Sequence, residues 1–230
     1  MIGIYNYTVI LTYMSLISAG IGIAISLSGE GHPYVAMIFL LFSALCDAFD
    51  GYVARSKKDR TEVERNFGIQ IDSLVDVVAF GVLPAAIGLS VVRRSALFGR
   101  LVGTVWAQRL TNGVVYAVLS LYVLAALIRL AYFNVTEEER QKEEGGQKRK
   151  YYIGVPVTTA SFSFSLVVML DILTPIDAAP LYMAVMLFMA IAFVSNIKVP
   201  KLGAKGISVM VGIGFLWLLA LLAYKLLAGN

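Results

Sequence analysis

Seven apolar runs, at roughly 8–28, 34–54, 68–92, 112–134, 153–173, 178–196 and 206–228, leave this chain few ways to fold. Each approaches the roughly 20 residues that carry a helix across a bilayer. Backbone in hydrocarbon must satisfy its own hydrogen bonds, which restricts crossings to helices and closed barrels. With 59% hydrophobic residues, 15% charged ones and a mean hydropathy of +0.79, disorder and an ordinary soluble domain are excluded. The expected fold is all-α: one membrane domain over 1–230, a polytopic integral-membrane bundle of about seven transmembrane helices.

Three basic connections punctuate the runs. The first carries Arg55, Lys57, Lys58, Arg60 and Arg65, the second Arg140, Lys142, Lys148, Arg149 and Lys150, and the third Lys198, Lys201 and Lys205. Together they hold 13 of the 19 lysines and arginines, and seven crossings put all three on one face. By the positive-inside rule that face is cytoplasmic, with loops at about 55–67, 135–152 and 197–205. The stretch 93–113 then lies outside despite Arg93, Arg94, Arg100 and Arg109, and suits an extra interfacial or re-entrant helix near 95–110. A single extra crossing there would invert every later loop, so it is rejected. The N-terminal "MIGIYNYT" lacks the basic start of a signal peptide, so the first run is expected to be retained. The lone Cys46 allows no internal disulfide. A net charge of +4 suits anionic lipid and phosphate, and no feature suggests nucleic acid.

Four aspartates interrupt this apolar pattern. Asp47, Asp50, Gly51 and Ala54 follow i, i+3, i+4, i+7 near the end of the second run; Gly68, Asp72 and Asp76 follow i, i+4, i+8 near the start of the third. A helix-loop-helix over 46–76 therefore faces four carboxylates and several small residues toward one another at the cytoplasmic end. A carboxylate at bilayer depth costs about 2.5–3.5 kcal/mol even on a lenient scale, so something positive must share the site. An all-oxygen donor set suits Mg²⁺, Mn²⁺ or Ca²⁺ rather than zinc. Four carboxylates balance two divalent ions, a known clamp for displacement at phosphorus. Gly51, Ala54 and Gly68 leave room for a nucleotide, and Arg55 offers a planar donor to a diphosphate. Helix-end carboxylates paired with loop lysines would explain two aspartates better than four on matched faces.

The stretch resembles the signature of the CDP-alcohol phosphatidyltransferase family, D-x2-D-G-x2-A-R, a spacer, then G-x3-D-x3-D. All eight fixed positions match: Asp47, Asp50, Gly51, Ala54, Arg55, Gly68, Asp72 and Asp76. The departure is the twelve-residue spacer between Arg55 and Gly68, longer than usual by roughly one helical turn. Upstream, Thr12 lacks the asparagine that many members carry three residues before it, since Val9 stands there. The resemblance implies a multi-pass protein of the cell membrane that binds a CDP-activated lipid through Asp50, Gly51, Ala54, Arg55, Gly68 and Thr12. An alcohol hydroxyl attacks the lipid-linked phosphorus and CMP leaves. Asp47, Asp50 and Asp72 would ligate two divalent cations, Mg²⁺ or Mn²⁺, and Asp76 would be a ligand, the general base, or both. Bound cations depress a carboxylate's pKa, so Asp76 is the base only where its metal contact is weak. A homodimer is implied by the resemblance alone.

Beyond the signature, "DSLVDVVAFGVLPA", "RLAYFN" and "IGVPVTTAS" resemble the phosphatidylserine synthase branch, archaetidylserine synthases included. This implies L-serine as acceptor and CDP-diacylglycerol or CDP-archaeol as donor. Serine needs a cation for its carboxylate and polar groups for its ammonium. Arg129, Asn134, Gly154, Pro156, Thr158 and Thr159 are the candidate serine-binding residues. Taken alone, Arg129 could equally snorkel to lipid phosphates, and the threonines could pack between helices. An acceptor such as glycerol 3-phosphate or an inositol phosphate is the alternative within the family. A cation transporter is the alternative outside it, but all four aspartates lie near one end rather than along a path.

Overall fold

In a computed structural model the described residues are 3–29, 32–101, 103–143, 151–200 and six single positions between 212 and 223. They form eight helices, α1 (Ile10–Ser28), α2 (Pro33–Ser56), α3 (Glu62–Asp76), α4 (Leu83–Arg94), α5 (Ala96–Leu101), α6 (Val105–Glu143), α7 (Thr159–Leu173) and α8 (Ala179–Val194). Two short strands, β1 (Tyr151–Ile153) and β2 (Lys198–Pro200), pair antiparallel with Tyr152 opposite Val199. Among the described residues four helical stretches are long and apolar enough to cross a membrane: Tyr7–Ser28, Pro33–Ser56, Glu62–Arg94 and Val105–Thr136. The seventh apolar run falls largely outside the described residues, as do Lys148, Arg149, Lys150, Lys201 and Lys205.

Several boundaries differ from the sequence reading. Helix covers much of the stretches expected as loops at 55–67 and 135–152, so the first connection shrinks to Lys57–Thr61. Thr61 caps α3 and Glu64 reaches back to the Thr61 N–H, a reciprocal pair that starts the helix six residues before Gly68. The fifth and sixth runs form helices of 15 and 16 residues, about 23 Å long and shorter than the hydrocarbon core. Residues 151–158 are instead spent on β1 and the turn that follows it. The extra helix near 95–110 is realised as α5, and α6 begins at Val105, ahead of the expected apolar start.

Small and hydroxyl residues set the packing. Helix α1 lies along α2 with buried Ser15, Ser18, Ala19 and Gly22. Ser18 Oγ donates to the Phe39 carbonyl at 2.9 Å, and Ser43 Oγ donates to that of Ser15 at 3.1 Å. A Cβ on Gly22 would lie 2.8 Å from Leu83 Cδ1 and 3.1 Å from Phe39 Cβ, so the glycine lets α1 pack close to both α4 and α2. Apolar helices gain little from mutual burial in lipid, and close approach with interhelical hydrogen bonds supplies the specificity.

Between α3 and α4 the chain widens into a π-helical stretch, Val77–Val82, directly after Asp76. Pro84 has no N–H, which takes a donor from the carbonyls one turn back. The freed Phe80 carbonyl accepts from the fully buried Tyr122 hydroxyl at 2.6 Å. The Pro84 carbonyl accepts from the equally buried Tyr182 at 2.9 Å. Helices α6 and α8 are thereby tied to the element that carries Asp72 and Asp76.

Candidate functional site

The site lies at the end of the bundle where α2 and α3 are joined. Helix α2 supplies Asp47 and Asp50, and α3 supplies Asp72 and Asp76. One carboxylate oxygen from each of Asp47, Asp50 and Asp72 lies within 4.8 Å of the other two. Asp50 is 9% exposed, and Asp47 and Asp72 are half-buried. Asp76 stands one turn farther along α3, buried and outside that grouping. Thr12 Oγ1 points at Asp50 Oδ2 from 3.5 Å, so the first helix reaches the cluster through this side chain.

Among the described residues no lysine or arginine forms an ion pair with the cluster. An ion pair joins Lys57 to Glu64, at 2.7 Å, in the hairpin beyond it. Crowded carboxylates lacking a basic partner repel one another and are poorly solvated. Three oxygens gathered within coordination reach, with no sulfur or imidazole in the group, match the donor chemistry of a hard divalent cation.

The signature glycines serve as seats for guanidinium groups. A Cβ on Gly51 would lie 3.3 Å from Arg55 Nη1, and one on Gly68 only 2.6 Å from Arg60 Nη2. Arg60 also donates to the carbonyls of Ala54 and Glu64, both at 3.3 Å. Glu64 gathers the hairpin, accepting from Lys57 Nζ and, at 2.9 Å, from Asn6 Nδ2 in the segment before α1. That hydrogen bond to Glu64 holds the Lys57 ammonium above its ordinary pKa. Asn6, Arg60, Glu64 and Ser73 were not singled out from sequence. Of these only Glu64 carried a local signal, the Thr61-x-x-Glu64 pattern.

The residues marked for serine divide into two groups. Arg129, 6% exposed, lies in α6 with Cζ 5.2 Å from the Phe133 ring centre. Gly154 adopts φ +76° after β1, donates to the Ile197 carbonyl at 2.8 Å, and presents its hydrogen toward Arg129. A Cβ there would lie 3.1 Å from Arg129 Nε and 2.9 Å from the Phe193 carbonyl. Asn134, by contrast, donates to Ser73 Oγ at 2.7 Å, between Asp72 and Asp76. The Thr159 hydroxyl donates to the Pro156 carbonyl at 2.6 Å, and the Thr158 carbonyl accepts from Ser161 Oγ at 2.7 Å. This turn opens α7 with local bonds; the threonine and proline side chains are half-buried.

At the opposite end, His32, Arg94, Ser95, Asp171 and Asp177 line a cavity of about 400 Å³. His32 caps α2. Burial there, with Arg94 nearby, lowers its pKa against the opposing pull of Asp171.

Comparison with known proteins agrees with this geometry. The sequence is 31% identical to the archaetidylserine synthase of Methanothermobacter thermautotrophicus over 85% of this chain and 71% of that protein. It is 36% identical to the CDP-diacylglycerol–serine O-phosphatidyltransferase of Saccharomyces cerevisiae over 58% of this chain and 41% of that one. For the enzyme of the same name from Helicobacter pylori the identity is 30%, over 75% and 63%. The chain thus spans less than two thirds of the latter two relatives. A sequence model of the CDP-alcohol phosphatidyltransferase family matches residues 5–197, which include every aspartate, glycine and arginine of the site described above. This chain belongs to the CDP-alcohol phosphatidyltransferase family.

Proposed function

We propose that this protein transfers a phosphatidyl-type group from a CDP-activated membrane lipid to L-serine, releasing CMP. The observation that carries the reading is the convergence of Asp47, Asp50 and Asp72 with no ion-paired lysine or arginine among the described residues. The serine and archaetidylserine synthases among its relatives support the choice of acceptor. The donor backbone is diacylglycerol or archaeol.

Asp47, Asp50 and Asp72 would hold divalent cations, two of them, Mg²⁺ or Mn²⁺. Such cations would supply the positive charge that a diphosphate and its departing phosphate require. Arg55, beside Gly51, donates to the diphosphate from the α2 side. Thr12, from α1, turns its hydroxyl toward the Asp50 carboxylate. Asp76 stands apart from the three grouped carboxylates, which suits it to accept the proton of the serine hydroxyl. As that oxygen bonds to the lipid-linked phosphorus, the bond to the bridging oxygen breaks and CMP carries the electron pair away. Arg129 is placed for the serine carboxylate, with Gly154 leaving space beside it. The Thr158, Thr159 and Pro156 turn supplies polar backbone for the ammonium group. The protein works as a homodimer in the cell membrane with this end toward the cytoplasm. The cations of the Lys57–Thr61 hairpin, on the aspartate side, support that orientation.

The test is CMP release from CDP-diacylglycerol or CDP-archaeol by the purified full chain, with radiolabelled serine, in Mn²⁺ or Mg²⁺ and after chelation. Serine incorporation that stops on chelation, and an Asp72→Asn variant that stays folded yet inactive, are expected. Incorporation of inositol phosphate or glycerol 3-phosphate in place of serine would overturn the acceptor. Normal turnover by Asp72→Asn would overturn the mechanism.

A further inference from the structure

We infer that Arg60 is a second diphosphate-binding residue, placed by the longer hairpin of this chain. The inference rests on the proposed CDP-lipid donor and extends it to a position outside the eight signature residues. Arg60 falls in the spacer between Arg55 and Gly68, where this sequence departs from the pattern. No spacing rule assigns that spacer a role.

Four observations converge on it. The Ala54 and Glu64 carbonyls hold the guanidinium between the end of α2 and the first turns of α3. It rests on Gly68, so close that a single methyl group there would collide with Nη2 at 2.6 Å. Gly68 lies one turn, roughly 6 Å, before Asp72 on the same face of α3. Finally, the Arg60 Nε is buried and has no hydrogen-bond partner. Carbonyl oxygens position a guanidinium but do not neutralise it, and among the described residues no carboxylate lies within ion-pair distance of Arg60. A fixed, partly buried cation with an unsatisfied donor is costly unless an anion completes it.

The required anion must accept from several N–H groups of one planar fork and sit within a turn of the aspartate cluster. Phosphate oxygens meet that description, since guanidinium and phosphate form parallel hydrogen bonds. Arg55, on α2, and Arg60, from the connection, then form a pair, seated on the signature glycines Gly51 of α2 and Gly68 of α3. The glycines thus serve the donor site indirectly, by lowering two guanidinium groups onto the helix surfaces. A lysine at 60 would supply charge without the fork.

The test compares the full-length wild type with Arg60→Met and Arg60→Lys in detergent with Mn²⁺. Affinity for CDP and for inorganic pyrophosphate is measured by calorimetry, and KM for CDP-diacylglycerol and for serine by CMP release. The expected result for Arg60→Met is a loss of about tenfold in affinity for both anions and a matching rise in KM for the CDP-lipid. The KM for serine should stay unchanged, and Arg60→Lys should recover part of the loss. Unchanged CDP affinity with a lowered melting temperature in either variant would reduce Arg60 to a hairpin strut and overturn the inference. Tighter CDP binding, or a change confined to Mn²⁺ affinity without nucleotide, would overturn it too. So would a loss seen only with phosphatidylglycerol vesicles, which would assign the guanidinium to bulk lipid phosphate. Failure of the wild type to bind CDP would sink the CDP-lipid reading itself, whereas normal wild-type binding with unaffected variants sinks Arg60 alone.

Discussion

Asn134 Nδ2 donates to Ser73 Oγ across 2.7 Å, joining α6 to the helix between its two aspartates. Ser73 Oγ itself donates a hydrogen bond to the Ile69 carbonyl at 3.1 Å, so its oxygen is left to accept from Asn134. The bond fixes how α3 is rotated against α6, and hence where Asp72 and Asp76 point. Asn134→Ala should lower kcat by about three- to tenfold, as misplaced groups commonly do, with little change in KM for serine. Steady-state kinetics separates this positioning role from direct contact with serine, which would raise that KM instead.

Tyr122 and Tyr182 each donate to a backbone carbonyl in or just after the π-helical stretch, those of Phe80 and Pro84. Removing the Tyr122 hydroxyl leaves the Phe80 carbonyl unsatisfied in an apolar interior. Tyr122→Phe should cost about 1–2 kcal/mol, within the range for buried hydrogen bonds between membrane helices. A lowered unfolding midpoint in detergent, with the affinity for CDP retained, is the measurement that checks it.

Gly154 combines a left-handed backbone with crowded surroundings. Its φ of +76° disfavours any L residue, and the added Cβ would crowd the Phe193 carbonyl at 2.9 Å and Arg129 Nε at 3.1 Å. Gly154→Ala should cost about 1–2 kcal/mol in backbone strain. It should also shift the Arg129 guanidinium, raising KM for serine while the KM for CDP-lipid holds. Equal rises in both constants would place Arg129 outside the acceptor site.

What was legible in the sequence is what depends on local periodicity. Asp47, Asp50 and Asp72 repeat at helical spacing, so their shared faces followed once the two runs were read as helices. Their meeting followed from the hairpin. The pairing of β1 with β2 was not legible, because three residues on each side carry no pattern and the partners lie far apart in sequence. Neither was the shortness of α7, since Val155 and Val157 continue the apolar run although Gly154 and Pro156 have already broken the helix. Arg60 was read only as one cation of a basic loop. Its seat on Gly68 depends on the turn joining α2 to α3, which composition does not specify. Arg129 and Gly154 were named as a pocket, but the left-handed backbone that brings them together is a tertiary feature.

At the far end of the bundle, Asp177 closes two helix starts at once. Its Oδ2 accepts from Ser95 Oγ at 2.6 Å and from the Leu97 N–H at 3.0 Å, ahead of and within α5, and its Oδ1 accepts from the Ala179 N–H at the start of α8. Burial alone would raise this carboxyl, but the hydrogen bonds it receives outweigh that and hold it below its ordinary pKa of 3.8. A carboxylate with a depressed folded pKa contributes stability that is fully present above the unfolded value and disappears as pH falls through the folded one. Asp177→Asn keeps one acceptor oxygen and loses the other, together with the charge that favours both helix starts. The variant should melt below the wild type at pH 7, and the gap should narrow progressively below about pH 4 as the wild-type carboxylate takes up its proton. A gap that stays constant across that range would mean that shape rather than charge sets the role of this residue. Because the groups involved lie at the far end from the aspartate cluster, KM for the CDP-lipid at pH 7 should not change.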